Sequence, residues 1–111
     1  MEVLAAWVEK GQLLTCGIIR CEVLRGLRDR RILSRMTELF DLVVDAPLTP
    51  DLWSETARLA WKLDRAGKVL PLTDLVIGTC ALRYEAVVLS ADPHFRSIPR
   101  LRVSGSLPAG S

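Results

Sequence analysis

Histidine occurs once in this chain, as His94, and glycine-rich phosphate loops do not occur at all. The seven glycines are scattered and form neither G-x-G-x-x-G nor G-x-x-x-x-G-K, which leaves a nucleotide-binding Rossmann fold weakly supported. A serine hydrolase triad lacks both G-x-S-x-G and a choice of histidine. Cys16, Cys21 and Cys80 are an odd number without a C-x-x-C pair, so a disulfide framework and a zinc knuckle both fit poorly. Three reduced thiols packed as small apolar groups are expected instead. Long hydrophobic runs are missing too: the longest stretches without a charge, Gly11 to Ile19 and Val103 to Ser111, have nine residues. A membrane span needs roughly 20. Met1-Glu2 opens without the basic start and apolar middle of a secretory signal, so a cytoplasmic protein with no membrane association is expected.

Lysine is also scarce. Only Lys10, Lys62 and Lys68 are lysines among 15 basic residues, and the net charge is +2. Six arginines (Arg20, Arg25, Arg28, Arg30, Arg31 and Arg35) fall within sixteen residues. Guanidinium forks match phosphate oxygens, although a solvated or partner-binding helix face explains the cluster equally simply. With 111 residues, half of them hydrophobic, the chain suits one globular domain with one core.

Apolar spacing predicts a helix over Glu2 to Lys10, with Val3, Leu4, Trp7 and Val8 on one stripe and Gly11 ending it. Gln12 to Ile18 is a short apolar run expected as a buried strand. The helix from Ile19 to about Leu27 carries Ile19, Val23 and Leu27 as its core stripe, with Glu22 on the stripe beside it. A helix from about Arg30 to Leu39 presents Ile32, Leu33, Met36 and Leu39 on one face, and a strand is expected over Asp41 to Asp45. Thr49-Pro50-Asp51 is a strong helix start and Gly67 a left-handed stop. Within that helix Trp53, Ala57 and Trp61 form a stripe expected to pack in the core.

Leu72 to about Arg83 is expected to be the most buried helix, with Gly78 and Ala81 allowing close approach to a sheet. Ala86 to Ser90 is a buried parallel-type strand, followed by a short helical turn after Pro93 and an edge strand at Leu101 to Val103. Ser104 to Ser111 has the composition of a disordered tail. Alternating strands and helices predict an α/β fold: an open parallel sheet with helices on both faces and ligands at the carboxyl ends of the strands.

Three carboxylates stand where such a fold could gather them: Glu22 on the helix after a strand, Asp74 in the first turn of the buried helix, and Asp92 just past the buried strand. Clustered carboxylates repel each other and favour either a raised pKa or a divalent cation; hard oxygen ligands suit Mg²⁺ or Mn²⁺. Asp74 also suits a helix dipole and Asp92 a helix cap, whereas Glu22 on a mostly apolar segment needs something to neutralise it.

Three stretches, Thr15-Cys-Gly-Ile-Ile-Arg-Cys-Glu22-Val-Leu-Arg-Gly26-Leu-Arg28, Pro71-Leu-Thr-Asp74-Leu-Val-Ile-Gly-Thr-Cys-Ala81 and Val88-Leu-Ser90-Ala-Asp92-Pro-His94-Phe95, resemble in order and spacing the later motifs of PIN-domain proteins of the VapC toxin type. The resemblance runs from Leu4 to Val103. It implies a three-layer PIN-like domain over residues 1–103 and a tail over 104–111. It further implies a Mg²⁺-dependent endoribonuclease (a hydrolase acting on RNA) that is inhibited by a cognate antitoxin and forms a homodimer. Glu22, Asp74 and Asp92 would be its catalytic and metal-binding acids, Ser90 a supporting residue where the family commonly has Thr, and Arg20, Arg25 and Arg28 contacts to RNA or antitoxin. The family opens on a strand bearing an active-site Asp. The resemblance begins after it, so that acid is expected to be absent and the place between Gln12–Ile18 and Ala86–Ser90 to lack its central strand. The alternative is a PIN domain without catalysis, acting as an antitoxin-binding or interaction fragment.

Overall fold

In the computed structural model, residues 13–105 are described, together with the backbone of residues 5–7. Strand β1 is Ala5–Trp7, β2 is Leu13–Thr15, and helix α1 is Gly17–Arg25. Helix α2 (Arg30–Leu42) leads to β3 (Val44–Asp45), and α3 (Pro50–Arg65) is followed by α4 (Leu72–Arg83). Then come β4 (Val87–Leu89), a 3-10 turn over Pro93–Ser97, and β5 (Arg102–Ser104). None of the helices is long and apolar enough to cross a membrane, among the described residues.

The α/β class holds, with a correction at its centre. Two parallel pairs, β2 with β3 and β4 with β5, are joined by β1 in the order β3-β2-β1-β4-β5. β1 runs antiparallel to both neighbours, with Ala6 opposite Leu14 on one side and Val88 on the other. The sheet is therefore mixed, and the place expected to be vacant holds Ala5–Trp7. That segment was expected to be helical; pairing on both edges supplies backbone partners that outweigh the helix preference of three residues. The rest of the expected Glu2–Lys10 helix, the beginning of the Gln12 run and residues 106–111 of the expected tail lie outside the described residues. Ser104 belongs to β5, and its carbonyl accepts from the Ser90 N–H at 2.9 Å.

Helix signals in the sequence act as expected. Thr49 Oγ1 accepts from the Leu52 N–H at 3.3 Å, with Pro50 in the first turn of α3, and Gly67 takes φ +80° in the left-handed region. α4 is buried without a break from Asp74 to Ala81. Its close approach at Gly78 is to Ile98 beyond the 3-10 turn: a Cβ there would come within 2.5 Å of Ile98 Cδ1. α3 packs on α4, and α1 on both α2 and α4.

Two apolar faces, of which the tryptophan stripe was expected in the core, are open. Trp53 and Trp61 are exposed, because α3 buries the neighbouring stripe of Leu52, Thr56 and Leu63. Arg65 stacks on Trp61, 4.6 Å from its centroid. On α2 only Phe40 is buried, while Ile32, Leu33 and Leu39 face outward and Met36 is half-buried.

Candidate metal centre

The site is built where α4 begins and β4 ends. Asp74 lies in the first turn of α4, where a carboxylate favours the positive end of the helix dipole. It is nevertheless 3% exposed, a depth at which an ionised group needs a partner. The partner is His94, whose Nδ1 lies 3.0 Å from Asp74 Oδ2.

Asp92 is placed by its local sequence. It caps the 3-10 turn, Oδ1 accepting from the His94 backbone N–H at 2.9 Å, and Pro93 follows in the first position of the turn. The buried Ser90 hydroxyl oxygen in turn accepts from the Asp92 N–H at 2.9 Å, which orients the loop leaving β4. This tight turn folds the imidazole of His94 back over its own cap, so that Nδ1 is also 3.2 Å from Asp92 Oδ1. One ring nitrogen thus stands between two carboxylates. With its proton on Nδ1 the ring donates to them, and to act as a metal ligand the same nitrogen must give that proton up.

Asp74, Asp92 and His94 each present one ligand atom, all within 4.8 Å of one another. Two carboxylate oxygens and an imidazole nitrogen form a donor set that fits a divalent cation, the oxygens suiting Mg²⁺ or Mn²⁺ and the nitrogen tolerated by Mn²⁺ more readily.

Glu22 does not join this group. It sits on α1 with its side chain partly exposed, and Arg25 Nη1 is 3.8 Å from its Oε1. That is a long contact, one helical turn apart on the surface, and it holds the carboxylate weakly. Of the arginines, Arg20 is committed to Asp41 at 2.6 Å, which ties α1 to α2; Arg25 and Arg28 are exposed. The residue that sequence reasoning did not assign to the site is His94. Its signal is Asp92-Pro93-His94: a cap followed by proline starts a tight turn that returns the third side chain to the first.

The sequence matches the PIN domain family over residues 1–101, and the chain belongs to that family. No curated protein gives a significant match. Among solved structures, the fold is similar to a chain in the crystal structure of VapBC2 from Rickettsia felis bound to a DNA fragment from their promoter. The TM-score is 0.68 at 17% identity, covering 84% of this chain and 74% of that one. The three matching stretches in the sequence and the fold thus lead to the same family.

Proposed function

We propose that this PIN domain is a metal-dependent endoribonuclease of the VapC toxin type, cleaving RNA phosphodiester bonds in the cytoplasm under the control of an antitoxin. The observation that carries the reading is the meeting of Asp74, Asp92 and His94 within 4.8 Å inside a PIN fold. A divalent ion held there, Mg²⁺ or Mn²⁺, supplies a Lewis acid for the phosphoryl oxygens and lowers the cost of ionising a water. Asp74 and Asp92 are the acids that hold it. Ser90 keeps Asp92 in place through the backbone, and His94 fixes the carboxylates at a common point. Glu22 is the third acid of the proposal: its contact with Arg25 is weak enough to exchange for the ion.

Arg25, held only loosely by Glu22, and the exposed Arg28 meet RNA phosphates or the antitoxin, whereas Arg20 does its work against Asp41. The exposed apolar face of α2 and the Trp53–Trp61 face of α3 supply surface for an antitoxin and for a second copy in a homodimer.

The test is cleavage of single-stranded RNA by the full chain with Mg²⁺ or Mn²⁺, wild type against Asp92→Asn. Asparagine caps a helix as well as aspartate does, so the turn persists while the charge goes. Transition-state stabilisation of several kcal/mol by the metal, at about 1.4 kcal/mol per tenfold, predicts a loss of about 100-fold or more. Equal rates would refute the role.

A second reading, a PIN domain acting as an interaction fragment without catalysis, is favoured by one observation: Glu22 stands outside the cluster, which leaves two carboxylates. Affinity in oxygen-ligand sites follows ligand charge, so this reading predicts weak metal binding and no cleavage by the folded wild type.

A further inference from the structure

The metal centre lies at the first turn of α4, and the far end of the same helix borders a cavity of about 790 Å³ that the proposed activity does not use. Asp74 and Arg83 are nine residues apart, roughly 14 Å along the helix at 1.5 Å per residue. The cavity is an open cleft between α3 and α4, bordered by Ser97, Pro99 and Arg100 of the segment running from the 3-10 turn to β5. Its lining has two characters. The deeper part is apolar or small, with Leu63 and Thr79 buried and Leu59 and Leu82 half-buried. The exposed part is cationic: Arg58, Lys62, Lys68, Arg83 and Arg100.

Five cations face one carboxylate, Glu55, so the lining carries four net positive charges. The whole chain carries +2, so the cavity concentrates twice the net charge of the protein. Glu55 is already neutralised, its Oε1 accepting from Arg83 Nη2 at 2.6 Å, while Arg83 Nη1 donates to Thr49 at 3.2 Å. Arg58, Lys62, Lys68 and Arg100 have no ion-pair partner among the described residues. Arg100 also holds φ +65°, a left-handed backbone that a non-glycine side chain seldom adopts and that turns up where a site needs a side chain aimed.

Four unpaired cations around a shared opening repel one another, and a polyanion relieves that repulsion. The volume is within the range of small-ligand sites, and the apolar depth suits a flat, weakly polar body. We infer that this cavity binds a nucleotide, with its phosphates on Arg58, Lys62, Lys68 and Arg100 and its base against Leu59, Leu63 and Leu82. The nucleotide is either free in solution or the terminal residue of an RNA strand. The inference stands apart from the ribonuclease reading, since neither Asp74 nor Asp92 takes part.

Calorimetric titration of the full chain at low salt, with chelator present to exclude the metal centre, tests it with ATP, adenosine, inorganic phosphate and a 5′-phosphorylated oligoribonucleotide. ATP is expected to bind saturably and more tightly than adenosine or phosphate alone. Arg58→Glu combined with Lys62→Glu should weaken ATP by about tenfold or more, the loss of about 1.4 kcal/mol or more of contact. Asp92→Asn should leave ATP binding unchanged. Both altered side chains are exposed on α3, and Arg100→Ala gives the same reading if the double variant does not fold. Tighter binding of the oligoribonucleotide than of ATP supports the strand end as the source, and the reverse order supports a free nucleotide. No saturable ATP binding at millimolar concentration, indifference to the charge changes, or equal binding of a short polyglutamate peptide overturns the proposal.

Discussion

Helices α4 and α2 have comparable lengths and opposite fates. α4 is buried without a break from Asp74 to Ala81, and its first turn supplies a carboxylate to the candidate metal centre. α2 is sharply two-faced, yet buries only Phe40 and leaves Leu39 54% and Leu42 83% exposed. The helix with the weaker periodicity is the better packed one. An apolar stripe records a face that gains by being covered, and here the chain's own described residues do not cover it. Accuracy at the site comes from α4, which cannot shift without disturbing the core on all sides; adaptability belongs to α2.

The contrast can be broken most directly by removing packing from each helix. Ile77→Ala, at a position 1% exposed, should cost about 2–5 kcal/mol in denaturant unfolding. Gly78→Ala pushes a methyl at the buried Ile98; overpacking of about 1–3 kcal/mol against a helix-propensity gain of about 1 leaves a net loss of about 0–2 kcal/mol. It should also disturb metal binding, because the segment displaced follows directly on the turn bearing His94. Full stability in Ile77→Ala would mean that α4 is looser than its burial indicates.

A pH effect of similar size sharpens the same point. Cys80 on α4 meets Cys16, the residue that starts α1, and both are buried. The hydrogen bond from Cys80, together with the N–H groups of Ile19 and Ile18, holds the Cys16 thiol down at about 7 despite its desolvation. The same hydrogen bond, then burial, pushes the Cys80 thiol far up. Between pH 7 and 9 the unfolded chain keeps a proton on Cys16 that the folded chain has released, so stability rises with pH, by on the order of 2 kcal/mol. Above 9 the unfolded chain also releases the Cys80 proton that the folded chain keeps, and stability falls. Thermal unfolding across pH 6–10 measures both limbs, and the rise should vanish in Cys80→Ala. A level profile between 7 and 9 contradicts this account. The smallest effect belongs to the other helix: Leu42→Ala should stay within about 0.5 kcal/mol. A loss as large as that of Ile77→Ala would show that α2 is covered after all.

Much of this was legible in the sequence because it is local. Thr49-Pro50, Gly67 and the uncharged run of α4 each state their structure within a few residues. Asp74 and Asp92 were legible as helix-start acids, and the alternation of strand and helix was enough to bring them to one edge. What depended on distant partners was not legible. Ala5–Trp7 acquires its strand from β2 and β4, and nothing within it favours that over a helix. On α3, the Trp53–Trp61 stripe and the Leu52–Leu63 stripe are both apolar, so periodicity could not choose which turns inward; α4 chooses. Nor does the spacing of Glu22 say how far α1 holds it from the other acids.

Strand β1 has one more consequence. Neighbouring strands stand about 4.8 Å apart, so a single intervening strand keeps β2 and β4 roughly 10 Å from each other. From the first hangs the helix bearing Glu22, from the second the turn bearing Asp92 and His94. Three residues therefore act as a gauge block, and the gap between the helix bearing Glu22 and the turn bearing Asp92 and His94 is set by the thickness of one ribbon of backbone.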